Sequence, residues 1–314
     1  MSAIKGDTAW LKSEISKLKK EKNAVIMSHY YQREEIQEIA DFIGDSLALA
    51  RQAAKTDASI IVMCGVHFMG ETAKILCRDK KVLIPDSNAG CSLADSCDPK
   101  EFKEFVDKHP DHTVISYVNT SAAVKGLTDI VVTSGNARRI VEQLPEEEKI
   151  IFGPDHNLGE YINSVTGRNM LLWKGACHVH DRFSIEKIME MKKSHPGAKI
   201  LVHPECRRPL QLIADKVGST AALLEFAQKD DSKEYIVVTE SGILFEMRKK
   251  CPEKIFLAAP AEDSECQCNE CDYMKLNTLQ KVYECLRDEQ PEIIVEEELA
   301  DRAIKPIERM LEMS

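Results

Sequence analysis

Cysteine is the residue with the most chemistry to offer in this sequence, with eleven among 314 residues and several in loops far apart. Cys91 closes the loop Pro85-Asp86-Ser87-Asn88-Ala89-Gly90-Cys91, and Cys177 sits in Trp173-Lys174-Gly175-Ala176-Cys177-His178-Val179-His180. A third group, Cys266-Gln267-Cys268-Asn269-Glu270-Cys271, contains a C-x-x-C element suited to metal or redox work. Cys91 and Cys177 stand 86 positions apart, and Cys177 and Cys271 stand 94 apart. Three loop thiolates brought together would suit a 4Fe–4S cluster, because such clusters take soft sulfur ligands. Three ligands leave one iron open to bind hydroxyl and carboxylate oxygens as a Lewis acid. The third ligand is one of the last group. A zinc finger would want a second close pair, which the sequence lacks. Cys64, Cys77 and Cys285 lie in apolar patterns, as buried structural thiols do.

Polar residues follow several β-branched runs. Ser28-His29-Tyr30-Tyr31, Tyr117-Val118-Asn119 and His203-Pro204-Glu205 put imidazole, phenol and carboxylate groups at matching places, a set fitted to acid–base work on a small molecule. Gly44-Asp45-Ser46 and Thr133-Ser134-Gly135-Asn136 each open a helical pattern. Free N–H groups and a hydroxyl there can receive phosphate, or simply cap the helix. Gly65-Val66-His67-Phe68-Met69-Gly70-Glu71-Thr72 has the glycine spacing of a P-loop, but Glu71 replaces the essential lysine, which excludes nucleotide binding.

These residues hang on a threefold internal repeat. Apolar runs begin at Ala24, Thr113 and Ile200, a second set at Ser59, Asp129 and Tyr235, and a third at Val82, Ile150 and Ile255. Helix-period segments such as Phe68 to Leu76, Ala137 to Leu144 and Ile243 to Lys250 separate them. Short apolar strands alternating with helices predict parallel sheets covered on both faces. The expected fold is α/β, with three βαβαβ repeats of three strands each around a pseudo-threefold axis. The repeats would span 1–96, 97–183 and 184–274, with 275–314 packing back on the first. Ligands bind outside the carboxyl ends of such strands, so the active site is expected at the centre.

Composition narrows the function classes. A net charge of −10 argues against a nucleic-acid partner. No apolar run reaches the ~20 residues a membrane span requires, and the charged start lacks a signal-peptide core. A cytoplasmic protein is expected, in which eleven cysteines do not form a disulfide framework.

Taken in order, the segments resemble quinolinate synthase across nearly the whole chain. The matching pieces include His29-Tyr30-Tyr31, Ile39-Ala40-Asp41-Phe42-Ile43-Gly44-Asp45-Ser46 and Cys64-Gly65-Val66-His67-Phe68-Met69 with Glu71-Thr72-Ala73-Lys74. Tyr117-Val118-Asn119-Thr120, Pro154-Asp155, Asn157-Leu158-Gly159, His203-Pro204-Glu205-Cys206, Gly218-Ser219-Thr220 and Met274-Lys275-Leu276-Asn277 complete the set. The resemblance implies condensation of iminoaspartate with dihydroxyacetone phosphate to quinolinate, phosphate and water in NAD biosynthesis. It also implies a 4Fe–4S cluster on Cys91, Cys177 and Cys271. Ser46 and Ser134 would hold phosphate; Tyr117, Asn119, His203, Ser219 and Thr220 would position carboxylates. Tyr31, Glu205 and His29 would move protons, with His180 lining the cavity. An aspartate oxidase or dehydrogenase would supply the iminoaspartate. Two departures stand out: His156 where relatives are expected to carry lysine, and the extra thiol Cys266 beside a Cys268–Cys271 pair able to form a disulfide. Two other readings compete, a cluster-bearing hydro-lyase for another hydroxy acid and a redox sensor using Cys268 and Cys271. Neither needs both phosphate-ready serines together with His29, Tyr117 and Glu205.

Overall fold

The computed structural model describes residues 7–262 and 269–314. Its strands form three four-stranded sheets in which every pairing is parallel. The first holds β1 (Ala24–His29), β2 (Phe42–Gly44), β3 (Ile60–Cys64) and β4 (Lys81–Leu83). The second holds β5 (Thr113–Tyr117), β6 (Ile130–Val132), β7 (Ile150–Phe152) and β8 (Leu171–Leu172). The third holds β9 (Lys199–Val202), β10 (Lys216–Val217), β11 (Glu234–Val238) and β12 (Ile255–Ala258). Strand order is the same in each: β2-β1-β3-β4, β6-β5-β7-β8 and β10-β9-β11-β12. The α/β class and the three small parallel sheets are therefore as expected.

Each sheet has four strands, where the apolar runs predict three. The additional strands are β2, β8 and β10, which are only two or three residues long and not wholly buried. The apolar runs also slip in the second repeat. There β6 reads like β3 and β11, yet it is the edge strand equivalent to β2 and β10. All three of its residues are buried because the helix Glu297–Glu312 lies against it.

Two compact units contain the three sheets. One comprises Met1–Cys91 with Asp272–Glu296, the other Ser92–Cys271 with Glu297–Ser314. In the first, the helix Leu279–Asp288 packs on the helix Thr8–Glu21, joining Leu279, Val282 and Leu286 to Leu11, Ile15, Ile26 and Val62. The expectation that all of 275–314 packs on the first repeat is corrected here. The helix Glu297–Glu312 instead covers β6 and the helix Ala122–Lys125 in the second unit, burying Ala300, Ala303, Ile307 and Met310. No helix among the described residues is long and apolar enough to cross a membrane.

Two polar devices recur in every sheet. Asp41, Asp129 and Asp215 each accept the N–H of Ile26, Val114 or Ile200 at 2.8 Å. Each returns its own N–H to the same residue's carbonyl at 2.9 Å, stitching the entry of the edge strand to its neighbour. The second device holds the loop at each strand end. Gln37 donates to the carbonyls of Tyr30 and Gln32, Lys125 to those of Val118 and Thr120, and Gln211 to those of Pro204 and Cys206. Loops so tied present their side chains from a fixed backbone.

Candidate active site

The second unit gathers most of the predicted site residues into one buried network. Tyr117, at the end of β5, donates its phenol hydrogen to Glu205 Oε1 at 2.5 Å. The other oxygen, Oε2, lies 2.9 Å from His180 Nδ1, and His180 Nε2 lies 2.9 Å from Thr239 Oγ1. His180 thus bridges Glu205 and Thr239 through its two ring nitrogens. His203 stacks on His180 with ring centroids 4.4 Å apart, and its Nε2 reaches Ser134 Oγ at 3.2 Å. A Cβ built on Gly135 would stand 3.4 Å from Ser219 Oγ, so the Ser134 loop and the Ser219 cap are neighbours.

Burial alone would raise the carboxyl pKa of Glu205. Coulombic attraction to His180 and His203, with hydrogen bonds from His180 and Tyr117, outweighs it and holds the group down at about 2. Glu205 is thus an anion at neutral pH. Nearby Asp155 is pushed upward by its burial and by the Glu205 charge, against N–H bonds from Leu158 and Cys177. Asn157 Nδ2 donates to the Glu205 carbonyl at 3.1 Å, so the same loop also fixes the backbone of Glu205.

Asn119 is half-buried past β5, and Thr220 opens the helix Thr220–Lys229 behind the Ser219 cap. His156, the residue departing from the expected lysine, starts the helix His156–Thr166 and pairs with Glu160 at its exposed face.

In the first unit His29 ends β1 opposite Gly44 of β2. This pairing sets it beside the helix start at Asp45 and Ser46, where Asp45 caps the Ala48 N–H. His29 Nδ1 accepts the N–H of Tyr31, whose ring packs edge-on at a centroid distance of 4.5 Å. Glu205 N and His203 Nδ1 make the same local bond at 3.3 Å in the third repeat.

The cysteines separate by burial. Cys64, Cys77, Cys97, Cys206, Cys251 and Cys285 are buried, whereas Cys91, Cys177 and Cys271 are partly exposed. Burial pushes the buried thiols up, Cys97 and Cys285 to about 12, which disfavours the thiolate a metal requires. Cys266 and Cys268, with the proposed Cys268–Cys271 disulfide, lie outside the described residues. A backbone bond independently marks Cys91, Cys177 and Cys271 as equivalent. His67, His156 and Ser241 donate their N–H to the carbonyls of Ala89, Gly175 and Asn269. Each acceptor stands two residues before its cysteine. Only glycine suits the Gly175 place, because φ is +138° and a Cβ would run into Ser96 Oγ.

Cys177 Sγ, His180 and Glu205 also bring ligand-type atoms within 4.8 Å of one another. Both ring nitrogens of His180 and both oxygens of Glu205 already have protein partners. In this structure the group is joined by hydrogen bonds to protein partners.

This geometry can be set beside known proteins. The family described as Quinolinate synthetase A protein matches residues 13–312. The chain belongs to that family. The quinolinate synthase of Chloroherpeton thalassium is 56% identical over 301 residues, covering 96% of this chain and 94% of the relative. Those of Microcystis aeruginosa (56% over 300 residues) and Thermosynechococcus vestitus (54% over 304) match 94% and 95% of their own lengths, and 96% and 97% of this chain. The quinolinate synthetase A match thus takes in both units and every predicted site residue. Sequence reading did not single out Thr239, Lys125, Asp155 or Glu240 as site residues. The strand register could have found the last two, since both stand at corresponding positions beyond a sheet's third strand.

Proposed function

We propose that the protein forms quinolinate from iminoaspartate and dihydroxyacetone phosphate, releasing phosphate and water, as a step of NAD biosynthesis. The observation that carries this reading is the Tyr117–Glu205–His180 network and its link through stacked His203 to Ser134. It couples a proton-handling centre to a hydroxyl at a helix start, which suits a substrate bearing phosphate at one end and a reacting carbonyl at the other.

The three partly exposed thiols fit a 4Fe–4S cluster in donor chemistry, being soft ligands on loops rather than buried core groups. Cys91, Cys177 and Cys271 would hold it. When bound, it would supply an open iron to polarise hydroxyl and carboxylate oxygens. The remaining roles belong to side chains. Ser134 and Ser46 bind phosphate, while His203, Asn119, Ser219 and Thr220 orient carboxylates. Tyr117 and the Glu205 carboxylate to which it donates a hydrogen bond handle protons beside the bound substrate. His29 and Tyr31 handle protons from the first unit. An aspartate oxidase or dehydrogenase would provide the unstable imine.

Anaerobically reconstituted protein, given dihydroxyacetone phosphate and freshly generated iminoaspartate, should release quinolinate and phosphate together. A cluster-loaded sample yielding neither would end this reading.

A further inference from the structure

The repeat that aligns the three cysteines also aligns what lies beneath them. Ser28 pairs with Cys64 and Val202 with Val238, while Ile115 pairs with Phe152, so the next step sets Ser116 beside Gly153. Two residues past Cys64, Gly153 and Val238 stand Val66, Asp155 and Glu240. All three are buried, yet one is apolar and two are carboxylates.

Those carboxylates take up backbone donors in matching ways. Asp155 Oδ1 accepts the N–H of Leu158 at 2.9 Å, and its Oδ2 accepts the N–H of Cys177 at 2.8 Å. Glu240 Oε2 accepts the N–H of Gly242 at 2.7 Å, and its Oε1 accepts the N–H of Cys271 at 3.2 Å. One oxygen steadies the carboxylate's own turn; the other grips the amide of a loop cysteine. Each carboxyl group thus offers one oxygen to each of two N–H groups.

We propose that Asp155 and Glu240 are positioning residues for the cluster loops, presetting the backbones of Cys177 and Cys271, a task that Val66 has no carboxylate to perform in the first repeat. The inference rests on the cluster assigned above. Groups behind a metal ligand fix its orientation, and their loss typically costs about 10- to 100-fold in metal affinity. Asp155→Asn and Glu240→Gln are near-isosteric. Each keeps one oxygen for its own turn, and asparagine still caps a helix well. Each then turns an NH2 toward the N–H of Cys177 or Cys271, so the bond to the cysteine is the one lost.

The experiment uses the anaerobic cluster-loaded protein, with iron release to a chelator and the cluster's midpoint potential as readouts. Asp155→Asn and Glu240→Gln should release iron about tenfold faster with unchanged circular dichroism. Glu240→Gln should also shift the midpoint to a more positive value, and Glu240→Asp, which keeps the acceptor pair, should restore it. Val66→Ala should match wild type in both readouts. Wild-type release rates and potential in both carboxylate variants would overturn the inference alone, as would an equal acceleration in Val66→Ala. A wild-type protein that holds no cluster would overturn the cluster reading and this inference together.

Discussion

Lys125 and Gln211 each stand eight residues beyond a strand-end site residue, Tyr117 and His203, and each donates to two carbonyls of the loop between. A buried lysine thus does in the second repeat what a buried glutamine does in the third. Lys125→Gln should therefore keep the loop and cost little, whereas Lys125→Leu should strand both carbonyls at about 1–3 kcal/mol each. Thermal unfolding of the two variants side by side tests this, and equal losses would show that the loop does not depend on these bonds.

Tyr117→Phe removes the phenol from Glu205 Oε1 and leaves a buried anion short of a partner. Turnover should fall about a hundredfold or more, with the cluster spectrum unchanged. Wild-type turnover in this variant would remove Tyr117 from the proton path.

Ser46→Ala and Ser134→Ala should each raise the KM for dihydroxyacetone phosphate, since each loses a hydrogen bond to a charged group worth about 1.5–3 kcal/mol. That corresponds to roughly ten- to hundredfold. Iron content should stay at the wild-type value. Unaltered kinetics in both would refute the phosphate assignment.

Replacing Cys91, Cys177 or Cys271 with serine should abolish a stable cluster, because a hydroxyl is a harder, poorer iron ligand. Cys206→Ser, Cys266→Ser and Cys268→Ser should retain iron and visible absorption. Iron per chain with electron paramagnetic resonance decides it. A normal cluster in Cys271→Ser alongside loss in Cys268→Ser would reassign the third ligand.

Glu289 is one source of acid-dependent stability in the first unit. Hydrogen bonds from Lys22 and Lys81 hold Glu289 at about 2, below its ordinary value of 4.5, against a smaller opposing effect of burial. A depressed folded pKa stabilises fully above the unfolded value and is lost as pH falls toward 2. The melting-temperature advantage of wild type over Glu289→Gln should therefore persist at pH 6 and vanish near the acid end of that window. A constant difference across it would show that Glu289 acts by packing instead.

Much of this was legible in the residues themselves. The starts of β1, β5 and β9 declare themselves because their apolar runs are buried on both faces. By contrast, β8 and β10 are two half-exposed residues each, too short to carry a period. β6 misled for a different reason: the helix Glu297–Glu312, distant in sequence, gives an edge strand the apolar character of an inner one. At the site, His29, Tyr117, His203 and Glu205 were visible as polar residues ending apolar runs. Glu240 was not, since Thr239-Glu240-Ser241-Gly242 reads as an ordinary solvated turn until strand pairing puts it level with Asp155.

The sameness of the three sheets makes their differences consequential. A homotrimer of one-sheet subunits would show every substitution three times over, by symmetry. Carrying the sheets on one polypeptide removes that obligation. Asp41, Asp129 and Asp215 are identical at one structural position of every repeat, while Tyr117 stands where the other two repeats carry His29 and His203. The proposed substrates, one phosphorylated and one a dicarboxylic imine, are dissimilar, and three copies of one residue would not suit both. Three like sheets on one polypeptide can therefore carry unlike residues at matching strand ends, as an unsymmetrical reaction requires.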